Sequence, residues 1–354
     1  MGSKAIHLPN EMAVVEMRAP GGPEVLVLGR RQVPAPAAGE VLIEVAAAGV
    51  NGPDMMQRKG LYPPPAGASD LMGLEVSGII VAVGAGVTAW AVGDSVTALT
   101  NGGGYAEYCA VDSRHCLPIP ENVSVQDAAG LPETFFTVWS NIFSPRRLQP
   151  GASFLVHGGA GGIGSTAIQL GKALGAKVYA TESPAARCDF CRDLGADRVI
   201  DYANEDFVGV LREEAGGADV ILDIVGGSYV ARNIKASAPG AHIVQIAFAL
   251  GSKIEIDLVP IMLKRLTYTG STLRSRSPEF KAEIAAELRS AVWPHFASGK
   301  IRTLVGRVLP FSQAVAAHQL MEQAGHLGKI LLVPDAHLTE GTRHDETPLT
   351  GLPS

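Results

Sequence analysis

The residues of this chain best placed to do chemistry are glycines. The stretch Val156-His157-Gly158-Gly159-Ala160-Gly161-Gly162-Ile163-Gly164 follows the apolar run Phe154-Leu155-Val156. It precedes residues 165–174, where apolar side chains recur at helical spacing. Gly159, Gly161 and Gly164 fit G-x-G-x-x-G. Such a turn lets a pyrophosphate approach the backbone, and the following helix offers it N–H groups and a positive dipole end. Ala160, Gly162 and Ile163 share the turn and are candidate contacts too. Alone the pattern is weak. A strand before it, a helix after it and a second strand, Lys177-Val178-Tyr179-Ala180, make it strong. A glycine-rich turn without a ligand is the plainer alternative.

Two charges downstream pull in opposite directions. Glu182 stands at the end of the second strand, where an acidic residue holds an adenosine ribose and favours NAD(H). Arg187, beyond Ser183 and Pro184, suits the 2′-phosphate of NADP(H). Cys188 and Cys191 spell Cys-Asp-Phe-Cys, which suggests a redox pair; residues 185–194 nevertheless read as an ordinary helix. His157, at the end of a buried strand, reads as a satisfied core histidine. The nine histidines do not cluster at metal-ligand spacing.

Elements that would position these residues can be followed along the chain. Residues 1–12 read as a polar extension. Met12-Ala13-Val14-Val15-Glu16-Met17 is a strand, and Pro20-Gly21-Gly22-Pro23 a turn. Residues 41–50 form a strand that ends at Asn51-Gly52-Pro53-Asp54. A proline-rich loop surrounds Tyr62. Residues 73–84 read as strands alternating with glycine turns, and 92–96 and 104–108 continue the pattern. Short strands with glycine punctuation indicate a β-barrel-type domain over 13–133. Residues 134–142 then read as a helix. From Phe154 onward strands alternate with helices, as in an α/β, doubly wound parallel sheet over 134–273. Residues 278–299 read as one long amphipathic helix. Strands at 305–310 and 329–333, with a helix at 312–323 between them, suggest that 274–335 returns to the first domain. Residues 336–354 read as a disordered tail.

Length alone favours two domains, since 354 residues exceed one ordinary core. A net charge of −6 gives no reason to expect nucleic acid. No run of eighteen apolar residues exists, so no membrane span is expected. Residues 1–12 have no apolar signal core. Four cysteines in so long a chain do not make a disulfide framework and fit a reducing cytoplasm.

Taken together, the motifs resemble the zinc-free quinone oxidoreductase branch of the medium-chain dehydrogenase/reductase superfamily. The matching pieces are Pro20-Gly21-Gly22-Pro23-Glu24-Val25-Leu26, Asn51 with Asp54, Met56-Gln57-Arg58-Lys59-Gly60-Leu61-Tyr62, and Gly73-Leu74-Glu75-Val76-Ser77-Gly78. The glycine turn, Ile224-Val225-Gly226-Gly227-Ser228-Tyr229, Gly270-Ser271-Thr272-Leu273-Arg274-Ser275-Arg276 and Gly328-Lys329-Ile330 complete the set. The resemblance spans nearly the whole chain. It implies a GroES-like catalytic domain beside a Rossmann domain, with cofactor in the cleft between them.

Zinc-dependent relatives carry a cysteine ligand where this chain has Asn51, and Gly-His-Glu where it has Gly73-Leu74-Glu75. They also carry a four-cysteine lobe that is missing after Thr100. Leucine cannot bind zinc, so no metal is expected. Without a Lewis acid alcohol oxidation is disfavoured, whereas a quinone accepts hydride readily. The resemblance implies Asn51 and Tyr62 as hydrogen-bond donors to the acceptor. Asp54 would orient Asn51 or cap a helix starting at Met55. Glu75 would face the vacated metal position or pair with an arginine. Along the cofactor the resemblance places Tyr202 at the adenosine side and Val225, Phe248, Thr272, Leu273 and Arg274 along the nicotinamide half. Thr137 and Lys329 are further candidate contacts.

The expected protein is a soluble, cytoplasmic, homodimeric reductase using NADP(H), with NAD(H) also open, on quinone or enone small molecules. Enoyl or enone double-bond reduction and non-catalytic nucleotide binding are the alternatives.

Overall fold

The computed structural model describes residues 8–144, 148–323 and 325–337. Most of the expected extension at 1–12 and of the expected tail at 336–354 lies outside the described residues. Two compact units form. One comprises the residues up to Glu133 and from Thr303 on, the other Thr134–Arg302.

The first unit opens with the antiparallel hairpin β1 (Glu11–Met17) and β2 (Leu26–Gln32), in register from Glu11 opposite Gln32 to Met17 opposite Leu26. Strand β3 (Glu40–Val50) runs into helix α1 (Gly52–Arg58). Strands β4 (Glu75–Val83), β5 (Ser95–Leu99), β6 (Tyr108–Asp112) and β7 (Cys116–Pro118) follow. The expected turns within residues 73–84 are absent, because β4 passes straight through Gly78. A Cβ there would stand 1.9 Å from the Glu44 carbonyl oxygen, so this glycine serves close approach of two strands.

The second unit starts with α2 (Pro132–Val138), prolonged by a wider turn at Trp139–Phe143. It continues through β8 (Ser153–His157), α3 (Gly162–Ala173), β9 (Lys177–Glu182), α4 (Ala185–Asp193), β10 (Arg198–Asp201), α5 (Phe207–Ala215), β11 (Ala218–Asp223) and α6 (Ser228–Ala236). Then come β12 (Ser237–Gln245), α7 (Val259–Lys264), β13 (Thr267–Gly270), α8 (Pro278–Ala291) and α9 (Trp293–Ala297). The six strands are parallel in the order β10-β9-β8-β11-β12-β13. That order reverses direction at β8 and β11, where a doubly wound sheet binds its ligand. Leu155, Tyr179, Ile200, Ile221 and Ile243 on the strands pack with Phe207 and Leu211 of α5 and Val230 and Ile234 of α6. Burying each such side chain contributes about 1.5–3 kcal/mol.

Two expectations need correcting here. Residues 278–299 are two helices, since Pro294 in the first turn of α9 has no N–H and its ring opposes an unbroken helix. Nor do residues 274–302 return to the first unit. Trp293 and Phe296 pack on Phe135, and Glu287 accepts a hydrogen bond from the Trp139 indole. These long-range aromatic contacts hold the segment to the parallel sheet's own unit.

Chain return begins at Thr303, with β14 (Val305–Pro310), α10 (Ala314–Glu322) and β15 (Lys329–Val333). A 3₁₀ turn at Phe311–Gln313 takes the first residues of the expected helix. The sheet of this unit runs β14-β15-β3-β4-β5-β7, with β6 also on β3. Ile43, Val45, Val76, Ile80, Ile330 and Leu332 form its core. Among the described residues no helix is long and apolar enough to cross a membrane.

Candidate functional site

In the second unit the glycine turn sits where the sequence puts it, between β8 and α3. Its glycines are demanded by different things. A Cβ on Gly164 would lie 2.1 Å from the Gly158 carbonyl oxygen and 2.7 Å from the Gly159 Cα, so helix and turn touch backbone to backbone. A Cβ on Gly161 would meet nothing nearer than 3.7 Å. Protein packing does not require that glycine; a close external group would. Gly161 is also the N-cap of α3, and it has no side chain to cap the helix. These features fit a pyrophosphate held at Gly161, Gly162 and Ile163; Ala160, the fourth candidate, is buried and gives its N–H to Glu182 instead.

Glu182 ends β9 and points inward, 3% exposed. One carboxylate oxygen accepts the Ala160 N–H at 2.8 Å, tying the strand end to the glycine turn. The other accepts the Ser183 N–H at 3.1 Å. Arg187 closes on both oxygens, at 3.1 and 3.3 Å. The two opposed charges of the sequence are therefore partners. Tyr202, half-exposed after β10, donates its backbone N–H to the Glu182 carbonyl at 3.3 Å. Val225 follows β11 and gives its N–H to Asp223 at 2.6 Å. Phe248 follows β12, is 50% exposed, and lines an apolar hollow of about 420 Å³ with Gly227, Ile254 and Tyr268. Exposed Thr272 and buried Leu273 and Arg274 follow β13. The candidates from residue 159 to residue 274 thus stand at the carboxyl ends of six consecutive parallel strands. Thr137 lies in the last turn of α2, whose Thr134 hydroxyl meets that of Thr166 on α3 at 3.0 Å.

His157 is satisfied by Asn233 at 2.8 Å and Thr181 at 2.9 Å, and burial holds its pKa below the usual value. Cys188 and Cys191 are buried free thiols whose pKa burial raises. Neither thiol has the exposed, electropositive setting of a redox cysteine.

The first unit assembles a second centre. Asn51 is the N-cap of α1, which starts at Gly52, three residues before the Met55 start expected. Asp54, at the third helical position, accepts the Asn51 backbone N–H at 2.8 Å, so it orients Asn51 and caps the helix at once. Its carboxylate also takes the Gly73 N–H at 3.1 Å and the Tyr105 hydroxyl at 3.1 Å. Burial outweighs these bonds and raises its pKa to about 6. Tyr105 in turn meets His318 Nε2 at 3.3 Å, and Arg58 meets His318 Nδ1 at 3.2 Å. Arginine only donates, so Nδ1 accepts and Nε2 carries the proton. Tyr105 and His318 went unnoticed in the sequence, because no spacing links them to Asp54.

The Asn51 amide is fully engaged. Its N–H groups go to Glu75 at 2.8 Å and the Gly49 carbonyl at 3.3 Å, and its oxygen accepts from Lys329 at 2.5 Å. Glu75 pairs with Lys329 at 2.7 Å rather than with an arginine. Lys329, expected as a cofactor contact, is held in this centre. Tyr62 stands half-buried in the loop after α1.

Two family models match the chain: the alcohol dehydrogenase GroES-like domain over residues 37–121, and zinc-binding dehydrogenase over 162–289. The quinone oxidoreductase of Rattus norvegicus is 31% identical over 318 residues, covering 88% of this chain and 95% of that one. The chain belongs to the medium-chain dehydrogenase/reductase superfamily, with quinone oxidoreductases among its relatives. Its units are the GroES-like and Rossmann folds of that superfamily. A mycobacterial protein solved in complex with NADPH is similar at 31% identity and TM-score 0.81, over 91% of this chain and 100% of that one. CurK enoyl reductase is similar at 28% identity and TM-score 0.80, over 92% and 100%.

The family model's description raises a zinc ion. Residues at the corresponding positions do not fit one. Leu74 has no donor atom, and the Lys329 ammonium lies against both side-chain oxygens that Asn51 and Glu75 would offer. Among the described residues no group of three histidine, cysteine or acidic side chains converges to hold a metal ion.

Proposed function

We propose that this protein is a zinc-independent, NAD(P)H-dependent reductase of quinones or related activated carbonyl compounds. The observation that carries the reading is the row of candidate contacts at the carboxyl ends of the six strands, centred on the open Gly161 position. A reduced nicotinamide bound there supplies a hydride. Gly161, Gly162 and Ile163 would hold the pyrophosphate, with Ala160 tying the turn to Glu182; Glu182, Arg187 and Tyr202 would serve the adenosine ribose. Val225, Phe248, Thr272, Leu273 and Arg274 line the nicotinamide half. Arg187 favours NADP(H) and Glu182 admits NAD(H), so both cofactors serve.

Of the two donors expected for the acceptor oxygen, Asn51 spends its N–H groups on Glu75 and Gly49. Tyr62 is therefore the donor to the developing oxyanion. Reduction of an enone double bond is the second reading, favoured by the similarity to an enoyl reductase; there Tyr62 delivers the proton to the α-carbon. Product analysis with a quinone and an enone, each with NADPH, separates the two. Quinol formation that falls at least about ten-fold in Tyr62→Phe is expected, in the range of a lost general acid or oxyanion donor. Turnover of neither acceptor, with tight NADPH binding, would instead make the chain a nucleotide-binding protein.

A dimer built through the second unit, in a reducing cytoplasm, completes the reading. Its support is the position of β13 as the last strand of the sheet among the described residues, and four cysteines that are all free.

A further inference from the structure

Glu75 and Lys329 make a charged pair at the heart of the first unit that the proposed reaction does not use. The Glu75 side chain is 0% exposed and that of Lys329 8%. The ammonium lies 2.5 Å from Asn51 Oδ1, 2.7 Å from Glu75 Oε1 and 3.3 Å from the Val50 carbonyl oxygen. Three N–H donors meet three oxygens. The second Glu75 oxygen accepts the Glu133 backbone N–H at 2.8 Å. Two glycines clear the space. A Cβ on Gly49 would stand 1.9 Å from Glu75 Oε1, and one on Gly130 would stand 3.1 Å from Lys329 Cγ. Four stretches of chain are thus shaped around one positive charge.

A hard cation seeks this kind of coordination: a carboxylate, an amide oxygen and a backbone carbonyl, converging in a buried place. Asn51 and Glu75 also stand at positions that bear on the metal in zinc-dependent relatives. We propose that the Lys329 ammonium is the resident cation of this centre, filling the place of a metal ion and holding the Glu75 carboxylate and the Asn51 amide in position. The proposal goes beyond the reductase reading and holds whatever the acceptor.

Lys329→Ala tests it, because the truncation removes the ammonium and leaves room for a small cation. The thermal midpoint is expected to fall by roughly 5–10 °C, as for a buried charge that has lost its partner. Millimolar n-propylammonium or Mn²⁺ should then restore at least half of the loss, while 1-propanol should not; wild type should respond to none of them. Failure of both cations to restore the midpoint, or equal restoration by 1-propanol, overturns the proposal. Should Lys329→Ala not accumulate as folded protein, Lys329→Ala/Glu75→Gln should, since it removes the uncompensated charge. Equal loss of folded protein in both variants also overturns it.

Discussion

At the scale of residues, the adenosine end and the buried histidine each allow a sharp expectation. Arg187 is spent on Glu182, so a 2′-phosphate must share or take that guanidinium. Arg187→Ala should lower the NADPH-to-NADH ratio of catalytic efficiencies by about ten-fold, or about 1.4 kcal/mol, and Glu182→Ala should raise it. A ratio unchanged by Arg187→Ala would remove that residue from the pocket. His318 is buried beside Arg58 and Tyr105, with Glu322 bonded to Arg58 at 2.5 Å; desolvation and then Arg58 bring its pKa down to about 3. A depressed histidine pKa means that the unfolded chain binds the proton first, so stability is lost as pH falls below about 6.5. Asp54 has the opposite sign. Its pKa is raised to about 6, so folding gains as pH falls from there toward about 4. By about pH 5 the histidine costs about 2 kcal/mol and the aspartate returns about 1 kcal/mol. Asp54→Asn should therefore steepen acid destabilisation and His318→Gln should reverse it, as read by denaturant unfolding at several pH values. Parallel profiles for the two variants would show that neither group titrates as stated.

At the scale of elements, the strand–turn–helix unit of β8 and α3 was legible because its glycines follow a fixed spacing, Gly164 for backbone contact and Gly161 for the approach of a ligand. Gly161→Ala should fold as well as wild type yet bind NADPH more than about ten-fold more weakly, since the added methyl meets the ligand alone. Gly164→Ala should lose stability as well, by about 1–3 kcal/mol or more, because two backbones cannot part. Calorimetric titration and thermal melts of both variants check this, and equal melts would contradict it. The alternation of strands and helices was readable from apolar runs. The break at Pro294 was readable in principle, but an amphipathic stripe overrode it. What stayed hidden depends on contacts between distant residues: Trp293 on Phe135, His318 on Tyr105, Lys329 on Glu75. Sequence spacing carries no trace of them. Asn51 was found by resemblance, but its engaged N–H groups became visible only with Glu75 and Gly49 in place.

At the scale of the whole molecule, the second unit leaves an apolar face uncovered. Leu258, Met262 and Leu263 are 62%, 68% and 72% exposed, and β13 ends the sheet with no further strand beside it among the described residues. Such an edge is covered when two copies pair across a two-fold axis. Light scattering at micromolar concentration should give a dimer mass, and Met262→Glu/Leu263→Glu should give a monomer. A monomeric wild type would contradict this. The central claim concerns how the reaction is run: by a nicotinamide cofactor on the Rossmann unit, with a lysine and no metal in the GroES-like unit. It is tested most directly by acceptor-dependent oxidation of NADPH after exhaustive chelation. The expected result is a quinone-dependent rate unchanged by the chelator and by added zinc; loss of that rate on chelation, restored by zinc, would contradict it.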